Sequence, residues 1–225
     1  MRLTIDDKEI RRIMEKTHAL IWFEEALILN CLSTISKGHI IEIGSFLGGS
    51  AILMGKGINN PYKVFTIDPH PRNIYHPWTK EIYKDSYSIL KNNIKEENLE
   101  DKIIAIKQKS KDAYKKIKFK AGMLYIDGSH NYEDVLTDFI LYEEKIKIGG
   151  YICFHDTEDY RNLINNKEIT DYMNGPTKVV YEKVIKSKRF KNILRIGRIS
   201  IAIKTKNKGF LENIHDKKLL KGLIK

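Results

Sequence analysis

The sequence predicts an α/β fold in which a mostly parallel sheet is covered by helices on both faces. Three observations carry this expectation. Short, β-branched apolar runs alternate with segments of helical periodicity. The runs are almost continuously apolar, as in strands buried on both sides. Each ends in glycine or a polar residue, and Glu42, Asp68, Asp127 and Asp156 fall at or near four of those ends. Ligands of such sheets bind at the carboxyl ends of the strands, so four carboxylates on one rim mark a site.

The elements follow in order. Ile5 to Ser36 reads as helical, with Ile10, Ile13, Met14, Leu20, Ile21, Leu27 and Ile28 largely at three- and four-residue spacing. Lys37-Gly38 supplies the stop. His39 to Gly44 is the first strand, Gly48 to Gly57 a helix and Lys63 to Asp68 the second strand. Trp78 to Glu97 reads as helix, Lys102 to Lys107 as the third strand and Gly122 to Asp127 as the fourth. An amphipathic helix covers Asn131 to Ile146, closed by Gly149-Gly150, and Tyr151 to Asp156 is the fifth strand. Thr177 to Ser187 follows as helix. Lys191 to Ile196 and Ile199 to Lys204 then pair as an antiparallel hairpin across the two-residue turn Gly197-Arg198. The chain divides into a helical segment (1–36), a central domain (37–206) and a tail (207–225).

Composition narrows the function classes. Among 225 residues 42% are hydrophobic and 31% charged, which excludes a disordered or membrane-buried chain. The formal net charge is +11, and its distribution is uneven. Thr177 to Lys225 holds 15 Lys and Arg against 3 Asp and Glu, a net of +12, so the remainder is nearly neutral. Partners that follow charge, nucleic acid or an anionic surface, belong to the C-terminal end. Two cysteines, Cys31 and Cys153, make neither a disulfide framework nor a zinc cluster. There is no signal-peptide pattern at the N-terminus, and Ala19 to Leu32 is interrupted by Glu24-Glu25 and too short to span a bilayer. A cytoplasmic location is the expectation.

Glu42-Ile43-Gly44-Ser45-Phe46-Leu47-Gly48-Gly49-Ser50 links the first strand to a helix. Glycines there admit a ligand to the backbone, next to the free N–H groups of a helix N-terminus. The spacing is neither the dinucleotide fingerprint nor a P-loop. Glu42 suits an amino group rather than a phosphate. Asp68, 24 positions after Gly44, suits a ribose diol. Ribose plus ammonium without pyrophosphate points to S-adenosylmethionine, although an ordinary tight turn would use the same glycines.

These residues, with Asp127-Gly128-Ser129-His130-x-Tyr132, Gly149-Gly150 and Phe154-His155-Asp156-Thr157, resemble the class I S-adenosylmethionine-dependent methyltransferases. The likeness is greatest to the branch of macrocin-type O-methyltransferases and cephalosporin-hydroxylase-like proteins, and covers about Lys37 to Lys204. It implies a Rossmann-like, seven-stranded sheet with an antiparallel last strand. It implies cofactor contacts from Glu42, Gly44, Ser45, Gly48, Ser50, Asp68, Ser110 and Asp127, with Ser110 near adenine.

Asp127, His130, His155 and Asp156 come from two neighbouring strand ends. Two carboxylates suit a hard cation such as Mg²⁺, which lowers the pKa of a bound hydroxyl. The resemblance makes Asp127 a metal ligand and His130 the base; Asp156 is the second ligand. Relatives place Glu-Asp where this chain has His155-Asp156, and a histidine prefers softer metals. Structural roles remain open: Asp127 as a helix cap, His130 as an ordinary first-turn residue, His155 as a hydrogen-bonding group in the cleft.

Pro69 to Trp78 is stiffened by three prolines and reads as a cover for the site or a plain surface loop. Asp159, Tyr160 and Arg161 are candidate acceptor contacts. The N-terminal segment packs on the sheet edge, covers the site or mediates dimer contacts, and a homo-oligomer is expected. The tail from Lys208 mixes lysines with Phe210, Leu211, Ile214, Leu219, Leu220, Leu223 and Ile224 as a basic amphipathic helix, open to membrane-surface contact or to packing. The function expected is O-methylation of a small molecule, a sugar or polyol. The alternatives are a nucleic-acid methyltransferase, for which no N-P-P-Y-like motif is present, and a non-catalytic cofactor-binding subunit.

Overall fold

The computed structural model describes residues 3–76, 79–165 and 167–223. Seven strands form one sheet in the order β5-β2-β1-β6-β7-β9-β8. They are β1 (Ile40–Ile43), β2 (Val64–Asp68), β5 (Ile103–Lys107), β6 (Ala121–Ile126), β7 (Ile146–Phe154), β8 (Phe190–Ile196) and β9 (Ile199–Lys204). The first five in this list run parallel; β9 is antiparallel to β7 and to β8. The expected α/β fold, with its C-terminal hairpin, is therefore observed. The chain runs from β1 outward through β2 to β5, then returns beyond β1 to β6. The switch point lies between β1 and β6, which is where ligands bind in such sheets.

Alternation along the strands builds two cores. Ile40, Val64 and Met123 face one layer; Ile41, Ile43, Ile67 and Leu124 face the other. The first layer is covered by α1 (Asp7–Lys16), α2 (Phe23–Ile35), α3 (Gly49–Gly57) and α4 (Ser86–Glu96). The second lies under α6 (Tyr132–Glu143) and α8 (Asp171–Val179), with the short α5 (Ser110–Ala113) at its edge and α7 (Arg161–Ile164) in the loop after β7. The last helix, α9 (Phe210–Leu223), lays Leu219, Leu220 and Leu223 on this second core and leaves Phe210 and Leu211 exposed. Among the described residues no helix is long and apolar enough to cross a membrane. Both cysteines are buried free thiols.

Four expectations change. The helix expected to reach Ile146 ends at Glu143, and the strand expected from Tyr151 begins at Ile146, so Gly149-Gly150 lies inside β7 instead of closing the helix. The N-terminal helix is two helices: Thr17 closes α1, His18 takes φ 47°, and α2 begins after Trp22. The apolar spacing continues through Ala19, Leu20 and Ile21, which hid the break. The helix expected over Trp78 to Glu97 begins only at Ser86, where Asp85 accepts from the Ser88 amide at 3.2 Å as N-cap. Ahead of it lies a two-stranded hairpin of β3 (Ile74–Tyr75) and β4 (Ile82–Tyr83); Pro77 and Trp78 lie outside the described residues. The helix expected from Thr177 starts six residues earlier, at Asp171, and ends in a π-helical stretch over Val180–Ile185. Gly175 and Pro176 have the lowest helix propensities, yet both lie inside α8, which packs on α6.

Candidate active site

The loop after β1 turns at Gly44 (φ 91°) against the end of β6. Ser45 and Phe46 donate their amides to one oxygen of Asp68, at 3.0 and 3.1 Å. The other oxygen accepts from the His70 amide at 2.7 Å. The amides that cradle a phosphate in nucleotide-binding loops thus hold a carboxylate here, in keeping with a ligand that lacks pyrophosphate. His70, buried at φ 45°, bridges the Ser45 and Ser86 hydroxyls at 3.2 and 2.9 Å.

Glu42 lies one layer deeper. It is fully buried and pairs in register with Thr66. Its carboxyl accepts from the Ser50 hydroxyl at 2.5 Å and from the Thr66 hydroxyl. Burial pushes its pKa up to about 8, against the opposing effect of those two hydroxyls. Ser50 lines the cavity above, and Glu42 does not. A carboxyl whose folded pKa exceeds its unfolded value stabilises fully below the ordinary 4.5 and loses that contribution as pH rises through 8. Glu42→Gln is expected to remove a fall of a few kcal/mol in unfolding free energy between about pH 5 and about pH 8.5. Urea melts at both pH values measure it, and an unchanged slope contradicts the assignment.

Two adjoining cavities share Gly44, Asp68 and Gly128. The larger, about 480 Å³, is lined by Ile67, Lys109, Ser110, Asp138 and Leu223 among others. Ser110 donates its hydroxyl to Asp138, whose pKa burial pushes up to about 7. The smaller, about 250 Å³, runs from Ser45 and Ser50 past Asp127 to His130, His155, Asp156 and Tyr172. Its far wall comes from Thr17, Ala19, Leu20 and Ile21 between α1 and α2, and from Ile74 and Tyr75 of the hairpin. The N-terminal segment therefore both packs on the sheet and covers the site, and Ile74 and Tyr75 of the proline-rich stretch help to cover it.

The ends of β6 and β7 meet at this smaller cavity. Asp127 accepts from the Tyr125 hydroxyl at 3.0 Å. Nδ1 of His155 lies 3.0 Å from Asp127 Oδ1 and 3.1 Å from Asp156 Oδ2. Nε2 of His130 lies 2.8 Å from Asp156 Oδ2, and its ring rests 3.7 Å from that of Tyr172. The Arg198 guanidinium pairs with Asp156 Oδ1 at 2.9 Å. Burial by itself raises the Asp156 carboxyl, but His130, His155 and Arg198 outweigh it and hold it well below the usual range. Burial likewise opposes charge on His155, and the surrounding carboxylates of Asp127, Asp156 and Glu25 reverse that, raising it far above its ordinary value. Asp127, His155 and Asp156 each present a ligand atom, all within 4.8 Å of one another, and so fit a divalent cation.

Asp127, His130 and Asp156 are thus brought together, as are Gly44, Ser45, Ser50 and Asp68 along the cavity. Asp159 and Arg161 pair with each other at 2.9 Å beside a separate cleft, with Tyr160, and line neither of the two cavities. Sequence reasoning missed Glu25 and Arg198. Glu25, fully buried in α2, accepts from the Trp22 and Arg198 amides at 2.6 Å each and faces His155 Nε2 at 3.1 Å. Glu24-Glu25 opening an otherwise largely apolar helix was the available signal, but it does not say that Glu25 is the buried one of the two. Arg198 reads from sequence only as a turn residue.

Comparison with known proteins identifies the domain and the fold. The sequence profile of a methyltransferase domain family matches residues 41–157. The uncharacterized protein R132 of Acanthamoeba polyphaga mimivirus is 32% identical over 144 residues, which cover 60% of this chain and 59% of that protein. The chain thus spans less than two thirds of that relative's length. An O-methyltransferase from Bacillus cereus, solved with SAH, superposes with a TM-score of 0.66 at 17% identity, covering 89% of this chain and 92% of that one. A putative caffeoyl-CoA O-methyltransferase from Staphylococcus aureus gives 0.66 at 18% identity, over 89% and 92%. The O-methyltransferase TomG of Streptomyces achromogenes, solved with SAM, gives 0.64 at 12% identity, over 89% of each. At such identities the structural likeness is one of fold. With a family profile that spans just over half of the sequence, from β1 to the residues that follow β7, the chain belongs to the methyltransferase domain family and has the class I S-adenosylmethionine-dependent O-methyltransferase fold.

Proposed function

We propose that the chain transfers the methyl group of S-adenosylmethionine to a hydroxyl oxygen of a small, neutral, hydroxyl-rich acceptor such as a sugar or polyol. The observation that carries this reading is the His130–Asp156 contact of 2.8 Å beside Asp127, in the cavity that continues past Asp68 and the glycine loop. A carboxylate can only accept, so His130 carries its proton on Nε2 and keeps a lone pair on Nδ1. Nδ1 takes the proton of the acceptor hydroxyl as its oxygen attacks the methyl carbon. The carbon–sulfur bond breaks, its electron pair stays on sulfur, and S-adenosylhomocysteine leaves. Holding acceptor and cofactor in line supplies most of the acceleration.

Asp127 and Asp156 are the protein ligands for a divalent cation in this reading; bound there, it lowers the pKa of the acceptor hydroxyl. Asp68 takes the cofactor ribose, and the larger cavity near Ser110 takes adenine. Tyr75 and Tyr172, each about half exposed on the rim, offer flat apolar faces to the C–H side of a sugar ring. Three carboxylates in the smaller cavity disfavour an anionic acceptor.

The test is His130→Ala. Turnover is expected to fall about 10²- to 10⁴-fold with S-adenosylmethionine affinity unchanged. Unchanged turnover removes the base assignment, and no cofactor binding by the unaltered chain at millimolar concentration removes the reading as a whole.

A further inference from the structure

Resting on the reading that Asp127 and Asp156 hold a divalent cation, we propose that His155 is its third protein ligand, oriented by Glu25. The site then selects a first-row transition cation that accepts a nitrogen donor, such as Mn²⁺ or Co²⁺, over Mg²⁺.

One buried nitrogen is orphaned. His155 is 3% exposed, and its Nδ1 makes no hydrogen bond, although two carboxylate oxygens lie 3.0 and 3.1 Å away. An N–H there is aimed at neither oxygen, and a buried donor left without an acceptor costs about 1–3 kcal/mol. A lone pair at the same atom is instead close enough to share one cation with both carboxylates. Ligand atoms at right angles on one six-coordinate ion, each bonded at about 2.1 Å, lie about 3.0 Å apart. The two spacings from Nδ1 match that figure, with all three donors within 4.8 Å of one another.

The other ring nitrogen supports the same tautomer. Nε2 lies 3.1 Å from Glu25 Oε2, a fully buried carboxylate that can only accept. With a cation in place the ring carries its single proton on Nε2 and ligates through Nδ1; without one, the same carboxylates hold it as the imidazolium. A ligating histidine characteristically donates its second N–H to a carboxylate in this way. Glu25 is itself fixed by two backbone amides, and Gly197 makes room for it: a Cβ at Gly197 would lie 2.5 Å from Glu25 Oε1. Mg²⁺ prefers oxygen donors, whereas an imidazole nitrogen in the set favours transition-series cations.

Mn²⁺ binding to the metal-stripped full-length chain tests this by electron paramagnetic resonance. One Mn²⁺ per chain is expected, with electron spin-echo modulation from an imidazole ¹⁴N, and displacement only by Mg²⁺ in about 100-fold excess or more. His155→Ala should abolish the modulation and weaken Mn²⁺ at least tenfold. Glu25→Gln should keep the modulation and weaken Mn²⁺ about 10- to 100-fold. His155→Glu should bring Mg²⁺ affinity up to that for Mn²⁺. Mn²⁺ bound without ¹⁴N modulation, or displaced by equimolar Mg²⁺, overturns the third ligand while leaving the aspartate pair in place. No Mn²⁺ binding at millimolar concentration leaves His155 as an imidazolium clamp between the carboxylates, and overturns both.

Discussion

Gly44→Ala is expected to abolish S-adenosylmethionine binding, by at least about 100-fold, and to lower stability by about 3–5 kcal/mol. A Cβ at this position would lie 2.0 Å from the Asp127 carbonyl oxygen and 2.5 Å from its carbon. Both are backbone atoms of the neighbouring strand end, so no side-chain rotation relieves the overlap. The strand ends must separate, and that shifts Asp127 and the loop amides that hold Asp68. The positive φ of 91° adds strain of about 1–2 kcal/mol. Gly149 supplies the control. It has φ 82°, but a Cβ there would meet nothing within 4 Å, so Gly149→Ala should cost only the strain and leave cofactor binding intact. Calorimetric titration and thermal melts of both variants separate close approach from backbone conformation. Gly44→Ala binding cofactor within about threefold of the parent chain contradicts the account.

The same strand ends explain what was legible in the sequence. Parallel strands carry their own signal, because burial on both faces makes them continuous apolar runs, and the carboxylate after each run marks the rim. Asp68, Asp127 and Asp156 are legible that way. Glu42 is legible too, but not its depth. Alternation counted from Ile40 puts Glu42 on the face of Ile40, turned into the layer beneath α3 rather than up to the rim. Contacts between distant parts of the chain leave weaker marks. Glu25 meets His155 across 130 residues and Arg198 across 173, and no local pattern encodes such a meeting. The break between α1 and α2 is hidden because its residues, Ala19 to Ile21, are apolar for a different reason: they wall the cavity.

The basic C-terminal quarter leads to the second large effect. Glu143, at the end of α6, is fully buried. Its carboxylate faces Arg189 at 2.7 Å, Lys204 at 3.0 Å and Lys208 at 3.2 Å, and all three cationic side chains are themselves buried. Lys208 also pairs with Asp216 of α9 at 2.7 Å. Part of the charge that suggests nucleic acid or an anionic surface is therefore internal, gathered around Glu143 where β8, β9 and α9 meet α6, with Asp216 and Glu212 as further partners. Glu143→Ala leaves these buried cations without their shared partner and is expected to cost about 3–5 kcal/mol, lowering Tm by roughly 10 °C. Glu212 provides the contrast: it meets Arg189 at 3.2 Å but is about half exposed, so Glu212→Ala should cost less than about 1 kcal/mol. Removing residues 208–225 takes away Lys208, Asp216 and Leu223 together, and Leu223 lines the larger cavity. Truncation should thus weaken cofactor binding as well as stability. If it lowers acceptor turnover alone, with cofactor affinity and Tm unchanged, the tail serves docking and not the fold.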